Sequence, residues 1–257
     1  MKMVADSPSN GLSQKFTNIV VLLLILVTVI FNILAPIFAL SWAQQPFLGS
    51  FFYPPLVVAD AYNPDWQARK LGAQAADILL SVDNQPVSSN LDLYYLLRQK
   101  QVNETVTLNL ERDPGLSDAP ETLSVSLNSF ALSDLLIFFW LPYIIGLVYL
   151  ILGLAAYRLR GGERVGAVFV TFCGFVSMLT GGLFDVYTLN FLVPVWAFVF
   201  PLSGAGLLHL SFVFPAETRL AKRRPWLRFI PYALALILGA ANLYSFYLAP
   251  NPRLYLS

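Results

Sequence analysis

The sequence predicts an α-helical multi-pass membrane protein of five spans, with a small α+β domain, a partly open β-barrel plus one main helix, inserted after the first span. Three observations lead there. Hydrophobic residues fill 57% of the 257 positions and charged residues 12%, about half the charge fraction of an ordinary soluble domain. Five apolar runs match the roughly 20 helical residues that a bilayer core of about 30 Å demands. Between the first and second runs, uniform apolar sequence gives way to short alternating stretches separated by turns, the pattern of strands.

The spans fall at 18–43, 135–157, 165–185, 191–214 and 229–249. Positive charge orients them. Lys2 and Lys15 precede the first span, Arg158, Arg160 and Arg164 lie between the second and third, and Arg219, Lys222, Arg223, Arg224 and Arg228 lie between the fourth and fifth. The link 185–190 holds no Lys or Arg, so alternating passes and the positive-inside rule agree on a cytoplasmic N-terminus. Residues 1–17 are then a cytoplasmic tail, 44–132 are extracytoplasmic, and 133–257 form a four-helix membrane region. The first run outlasts the 7 to 15 apolar residues of a cleavable signal and reads as an uncleaved anchor, with processing near Ser41, Trp42 and Ala43 as the alternative. Trp42, Trp140 and Trp226 sit near interfaces, where amphipathic rings are favoured, or serve in ordinary packing.

Segment 44–132 holds ten acids against five bases. Strands are predicted at 56–59, 78–82, 105–110 and 122–127, with a turn over Asp83, Asn84, Gln85 and Pro86. Ser89 followed by Asp92 is a helix-capping pattern, and it opens a helix running to about Lys100.

These residues resemble bacterial PDZ domains. The run from Leu71, Gly72 and Ala73 through Asp77, Ile78, Leu79, Leu80, Asn84, Gln85 and Val87, followed by Leu91 to Leu97, follows the order small residue and glycine, aspartate, apolar strand, turn and helix. Ala76 replaces the family's usual glycine before the aspartate, and a modest change of turn geometry is expected. The resemblance implies a peptide-binding groove. Leu48, Gly49, Ser50 and Phe51 would form the loop whose amides receive a peptide carboxylate. Leu93, Tyr94 and Leu97 would line the opposite wall, and an extended peptide would add to the strand edge. Alternatively, Gly49 simply turns the chain off the membrane, and Pro54 and Pro55 weaken the strand where a peptide would pair.

The remainder resembles the membrane input region of bacterial sensor histidine kinases of the competence-pheromone type, which order their elements in this way. The phrase His209 to Pro215 also resembles a recurrent one at a cytoplasmic helix end in that group. Ionisable groups inside a span are functional candidates by default. His209 could bind a ligand, sense pH or bond to a neighbouring helix; Asn242 is interhelical glue; Asp185 lies near the outer interface. Ser203, Gly204, Ala205 and Gly206 would let helices approach closely.

Enzyme readings fail on residue supply. One histidine cannot furnish a His-Glu-x-x-His metalloprotease helix. Ser203 and His209, about 600° apart around one helix, cannot share a catalytic face. No phosphate-cradling glycine motif, kinase signature, cofactor site, metal site or nucleic-acid surface is present. The expectation is a non-catalytic sensory or signal-input protein of the bacterial cytoplasmic membrane. Its partners would be the lipid bilayer, an extracytoplasmic peptide or protein, and a second copy or signalling partner. Because five spans leave the last residues outside, an effector would lie further along a longer chain or on a partner. The other class considered is a PDZ-bearing scaffold that recruits envelope proteins.

Overall fold

A computed structural model describes residues 8–112, 121–160, 163–249 and 251. Lys2 and the chain end beyond 251, which the sequence places on opposite sides, lie outside the described residues. The protein is mostly helical, with a small β-sheet region and five helices long and apolar enough to cross a membrane: Thr17–Ala43, Leu132–Arg160, Arg164–Gly181, Val193–Val213 and Pro225–Tyr247.

The elements follow in order. Helix α1 (Pro8–Ala43) leads into β1 (Pro46–Phe47), β2 (Phe52–Tyr53), β3 (Val57–Val58) and the short α2 (Gln67–Lys70). Next come β4 (Ile78–Val82), β5 (Gln85–Pro86), α3 (Asn90–Leu97), β6 (Thr105–Glu111), β7 (Glu121–Ser126) and β8 (Asn128–Ser129). The second span is α4 (Leu132–Leu135), a π-helical turn (Leu136–Trp140) and α5 (Leu141–Arg160); the third is α6 (Arg164–Gly181). A short α7 (Leu183–Val186) precedes the fourth span α8 (Val193–Val213); α9 (Arg219–Arg223) and a 3₁₀ turn (Pro225–Phe229) precede α10 (Ile230–Tyr247).

Strands β2, β3, β4, β6 and β7 form an antiparallel sheet in that order, with β5 folded back on β4; β1 pairs with β8 separately. Hydrophobic alternation sets the register. Val106, Leu108 and Leu110 of β6 face inward opposite Val125, Leu123 and Glu121 of β7, and all but Glu121 join Leu79, Val82, Leu93 and Leu97 in one core. The predicted strand 56–59 shrinks to Val57–Val58, because Leu56 takes φ 63° and Pro54 and Pro55 have no amide hydrogen to donate to a ladder. The predicted helix is capped as expected, Ser89 Oγ accepting from the Asp92 amide at 3.1 Å. It ends at Leu97 rather than Lys100, where a turn begins and the Lys100 ammonium donates to Asp83 and Glu104 at 2.7 and 2.8 Å. Those bonds hold the Asp83 carboxylate below its ordinary pKa. Ala76 adopts φ 72°, a left-handed conformation that glycine adopts more readily, and the alanine carries the strain.

The chain divides into two compact units. One comprises residues up to Ile33, Tyr143–Gly181 and Phe198–Gly239. It is built on close helix contact: a Cβ added at Gly146 would lie 2.9 Å from the Ser177 carbonyl oxygen. Asn32 Nδ2 donates to Ser177 Oγ at 3.0 Å, and Tyr143 donates to the Asn32 carbonyl at 2.9 Å. Of the small-residue run, Gly206 faces the Phe172 Cα while Gly204 faces open space, so close approach is confined to one of its glycines. The other unit comprises Leu34–Pro142, Gly182–Ala197 and the chain from Ala240 onward. The whole β-rich domain therefore packs together with the terminal segments of several spans.

Candidate functional site

The segments expected to bind a peptide meet inside this second unit, and they meet closed. Phe47, Leu48, Ser50 and Phe51 are all buried, Phe51 completely. Gly49 has φ +82°, and a Cβ there would fall 2.6 Å from the Gln67 amide nitrogen. Its glycine is therefore required twice over, by backbone sign and by the close approach of α2. Leu93, Tyr94 and Leu97 are buried on the facing side of α3. Between loop and helix only about 10 Å³ remains, about the room of one water.

What fills the groove is the chain itself. The Phe52 amide, on the outer edge of β2, donates to the Tyr187 carbonyl at 3.3 Å. Asn90, 5% exposed, donates from Nδ2 to the Phe52 carbonyl at 2.7 Å and to the Thr188 carbonyl at 3.0 Å. Its Oδ1 accepts from the Leu56 amide at 3.4 Å. One side chain thus ties the strand edge, the sharp turn after Pro55 and the link between the third and fourth spans. The Tyr187 ring stacks on Phe51 at 5.5 Å and lies 5.3 Å from Tyr53. From the other direction, Ser41 at the end of α1 shares a 2.7 Å hydrogen bond with the Tyr94 hydroxyl.

Aromatic burial supports this closure. Trp42, at the end of α1, is buried, its indole 5.7 Å from Phe51 and 5.4 Å from Phe184. Trp66 donates its indole N–H to Asp134 at 2.6 Å, and Asn63 donates to the same carboxylate at 3.0 Å. Asp134, 4% exposed, has both side-chain oxygens hydrogen-bonded, as a buried polar group requires.

Asp185 lies beyond the third span, in α7, not at its last turn. It is 5% exposed, and its Oδ2 accepts from the Leu192 amide at 2.6 Å, seven residues on and just before α8. A carboxylate beside a helix N-terminus is stabilised by the unpaired amides there. Burial nevertheless outweighs those bonds and pushes its pKa up to about 7.

The other intramembrane candidates separate. Asn242 donates to the Ala197 carbonyl at 3.1 Å, an interhelical bond of the kind expected. His209 lies in the first unit, with Nδ1 3.2 Å from the Tyr232 hydroxyl. The structure brings Leu48, Ser50, Leu93, Tyr94 and Leu97 around one space, turns Gly49 against α2 and Phe51 into the aromatic cluster, and places neither His209 nor Asn242 among the lining residues. Asn90, Asn32 and Asp134 were missed by the sequence reading. Asn32 could have been found as the amide inside the apolar run 18–43. Asn90 carried only the signature of a helix start.

No family model and no curated protein matches the chain. Among solved structures the chain is similar to a photosystem II D1 C-terminal processing protease, at 20% identity and a TM-score of 0.28, over 34% of this chain and 24% of that one. The chain therefore spans about a quarter of the length of that protein.

Proposed function

We propose that this is a non-catalytic signal-input membrane protein whose inserted domain is PDZ-like and extracytoplasmic, and whose ligand groove is held shut by the chain's own link between the third and fourth spans. The observation that carries this reading is the pair of bonds from Phe52 and Asn90 to the Tyr187 and Thr188 carbonyls. An extended peptide joining the β2 edge would need the same Phe52 amide. Groove occupancy and the arrangement of the link thereby become one equilibrium. A ligand that binds only the open form shifts that equilibrium by its differential affinity, and its apparent affinity is lowered by the fraction already closed. The link leads directly into α8, so opening has a route into the helices. The resemblance to sensor-kinase input regions and the placement of basic residues around the other links support the same reading.

The test uses the full chain in lipid nanodiscs, with Cys173→Ala and Thr188→Cys. Thr188 is buried, and its backbone carbonyl, not its side chain, bonds to Asn90. A pool of peptides with apolar C-termini and free carboxylates should speed maleimide labelling of position 188 and also raise hydrogen exchange in α8. Faster labelling with unchanged exchange in α8 would favour the adaptor reading, in which the domain recruits without signalling. No change in labelling at any peptide concentration removes the groove as the input. Orientation is checked separately. Asn103→Cys in the exposed turn before β6 should react with impermeant thiol reagent in intact cells, and Glu163→Cys should not.

A further inference from the structure

The first unit contains a cluster of cations that share one carboxylate among the described residues. Arg164, at the start of α6, bonds to Glu217 Oε1 at 3.1 Å, and Arg228, at the start of the fifth span, reaches the same oxygen only at 4.0 Å. One carboxylate thus serves two guanidiniums. Arg228 is largely buried, 14% of its side chain exposed, against 57% for Arg164. Its Nε and Nη1 are buried without a hydrogen-bond partner among the described residues. The same holds for His209 Nε2. The Phe229 ring lies 5.3 Å from the Arg228 guanidinium carbon and 6.3 Å from the His209 ring, which places the two unpartnered groups around one aromatic side chain.

Buried donors left unpaired are costly, and more so when they belong to charged groups. A tautomer in which the Tyr232 hydroxyl donates to Nδ1 leaves Nε2 as an N–H donor. The cluster then presents donors and net positive charge, and it lacks an acceptor-rich anion. A phosphate has this character, and arginine is suited to bind one through several N–H groups at once. The same unit holds an apolar cavity of about 350 Å³ lined by Leu159, Val165, Phe169, Leu210 and Phe214, with Arg160 at its side. Val165 follows Arg164 and Leu210 follows His209 in the chain, so cations and cavity share the ends of α6 and α8.

We infer that Arg164, Arg228 and His209 bind the phosphate of an anionic phospholipid, whose acyl chain occupies the apolar cavity. Glu217 divides its charge between the arginines and keeps them in place when the lipid is absent. The binding requires no reaction and no metal.

The experiment is native mass spectrometry of the full chain released from nanodiscs of equal phosphatidylglycerol and phosphatidylcholine. The wild type should retain phosphatidylglycerol preferentially. Arg228→Gln, and separately the more exposed Arg164→Gln, should each reduce that preference by roughly tenfold, the scale of one charge-assisted hydrogen bond. Circular dichroism and size exclusion identify any variant that has simply failed to fold, and Arg164→Gln decides the matter if Arg228→Gln does fail. Equal retention of the two lipids, or a preference that survives both substitutions, overturns the assignment. So does displacement of all bound phosphatidylglycerol by inorganic phosphate, which would make the site one for the free anion.

Discussion

Replacing Asn90 with alanine removes the amide that joins the β2 edge to the link. Two donated bonds are lost, to Phe52 and Thr188 carbonyls at 2.7 and 3.0 Å, together with the weaker one accepted from Leu56 at 3.4 Å. Each of the two carbonyls left without its donor costs about 1 to 2 kcal/mol. Alanine returns a few tenths through its helix propensity at the start of α3. The closed arrangement should lose about 2 to 4 kcal/mol, which is roughly 30- to 1,000-fold in an opening equilibrium. Hydrogen exchange of the full chain in nanodiscs reads this directly. Protection should fall by that factor at Phe52 and across residues 184–192, while β6 and β7, whose ladder does not involve Asn90, keep theirs. Asn90→Asp, which retains an acceptor but no donor, should behave like alanine. An equal loss over β6 and β7 would mean that the residue merely holds the domain together, and unchanged protection at 184–192 would refute the role assigned to it.

Ala76→Gly should stabilise the protein by about 0.5 to 1 kcal/mol, because relief of a left-handed alanine at φ 72° exceeds the entropy gained by the unfolded chain; a lower melting temperature would contradict this. Gly49→Ala should cost at least about 2 kcal/mol, since both the positive φ and the 2.6 Å approach to the Gln67 amide oppose a methyl group. Thermal unfolding within about 0.5 kcal/mol of wild type would show that α2 can move aside. Asp185 gives a pH signature. Its folded pKa of about 7 lies above the unfolded value of about 4, so the native state holds the proton more tightly. Its contribution is fully present below about pH 4 and is lost as pH rises through about 7. Exchange in 184–192, corrected for intrinsic rate, should therefore increase from pH 5 to pH 8 by a factor that Asp185→Asn abolishes; a slope identical in the variant would assign it to another group.

The five apolar runs were legible because partition into lipid is a property of each run separately, and helix ends moved by only a few residues, as at Gly181 for the third span. Strand β4 and the Ser89 cap were legible because alternation and capping are local. The groove shows where local reading stops. Leu48, Leu93 and Leu97 were correctly gathered, yet whether the space between them is open depends on Tyr187 and Thr188, which look like ordinary link residues.

The sequence alone therefore determined which helices are long and apolar enough to cross a membrane, and where strands and turns alternate between the first two of them. Folding in three dimensions decided that Asn90 bonds to a carbonyl 98 positions away, that Trp42 is buried against Phe51 and Phe184, and that Asp134 is paired with Trp66. The reason is physical. Hydrophobicity and backbone preference act on each stretch by itself, whereas a buried polar group takes its meaning from whichever distant donor or acceptor the finished packing brings within reach.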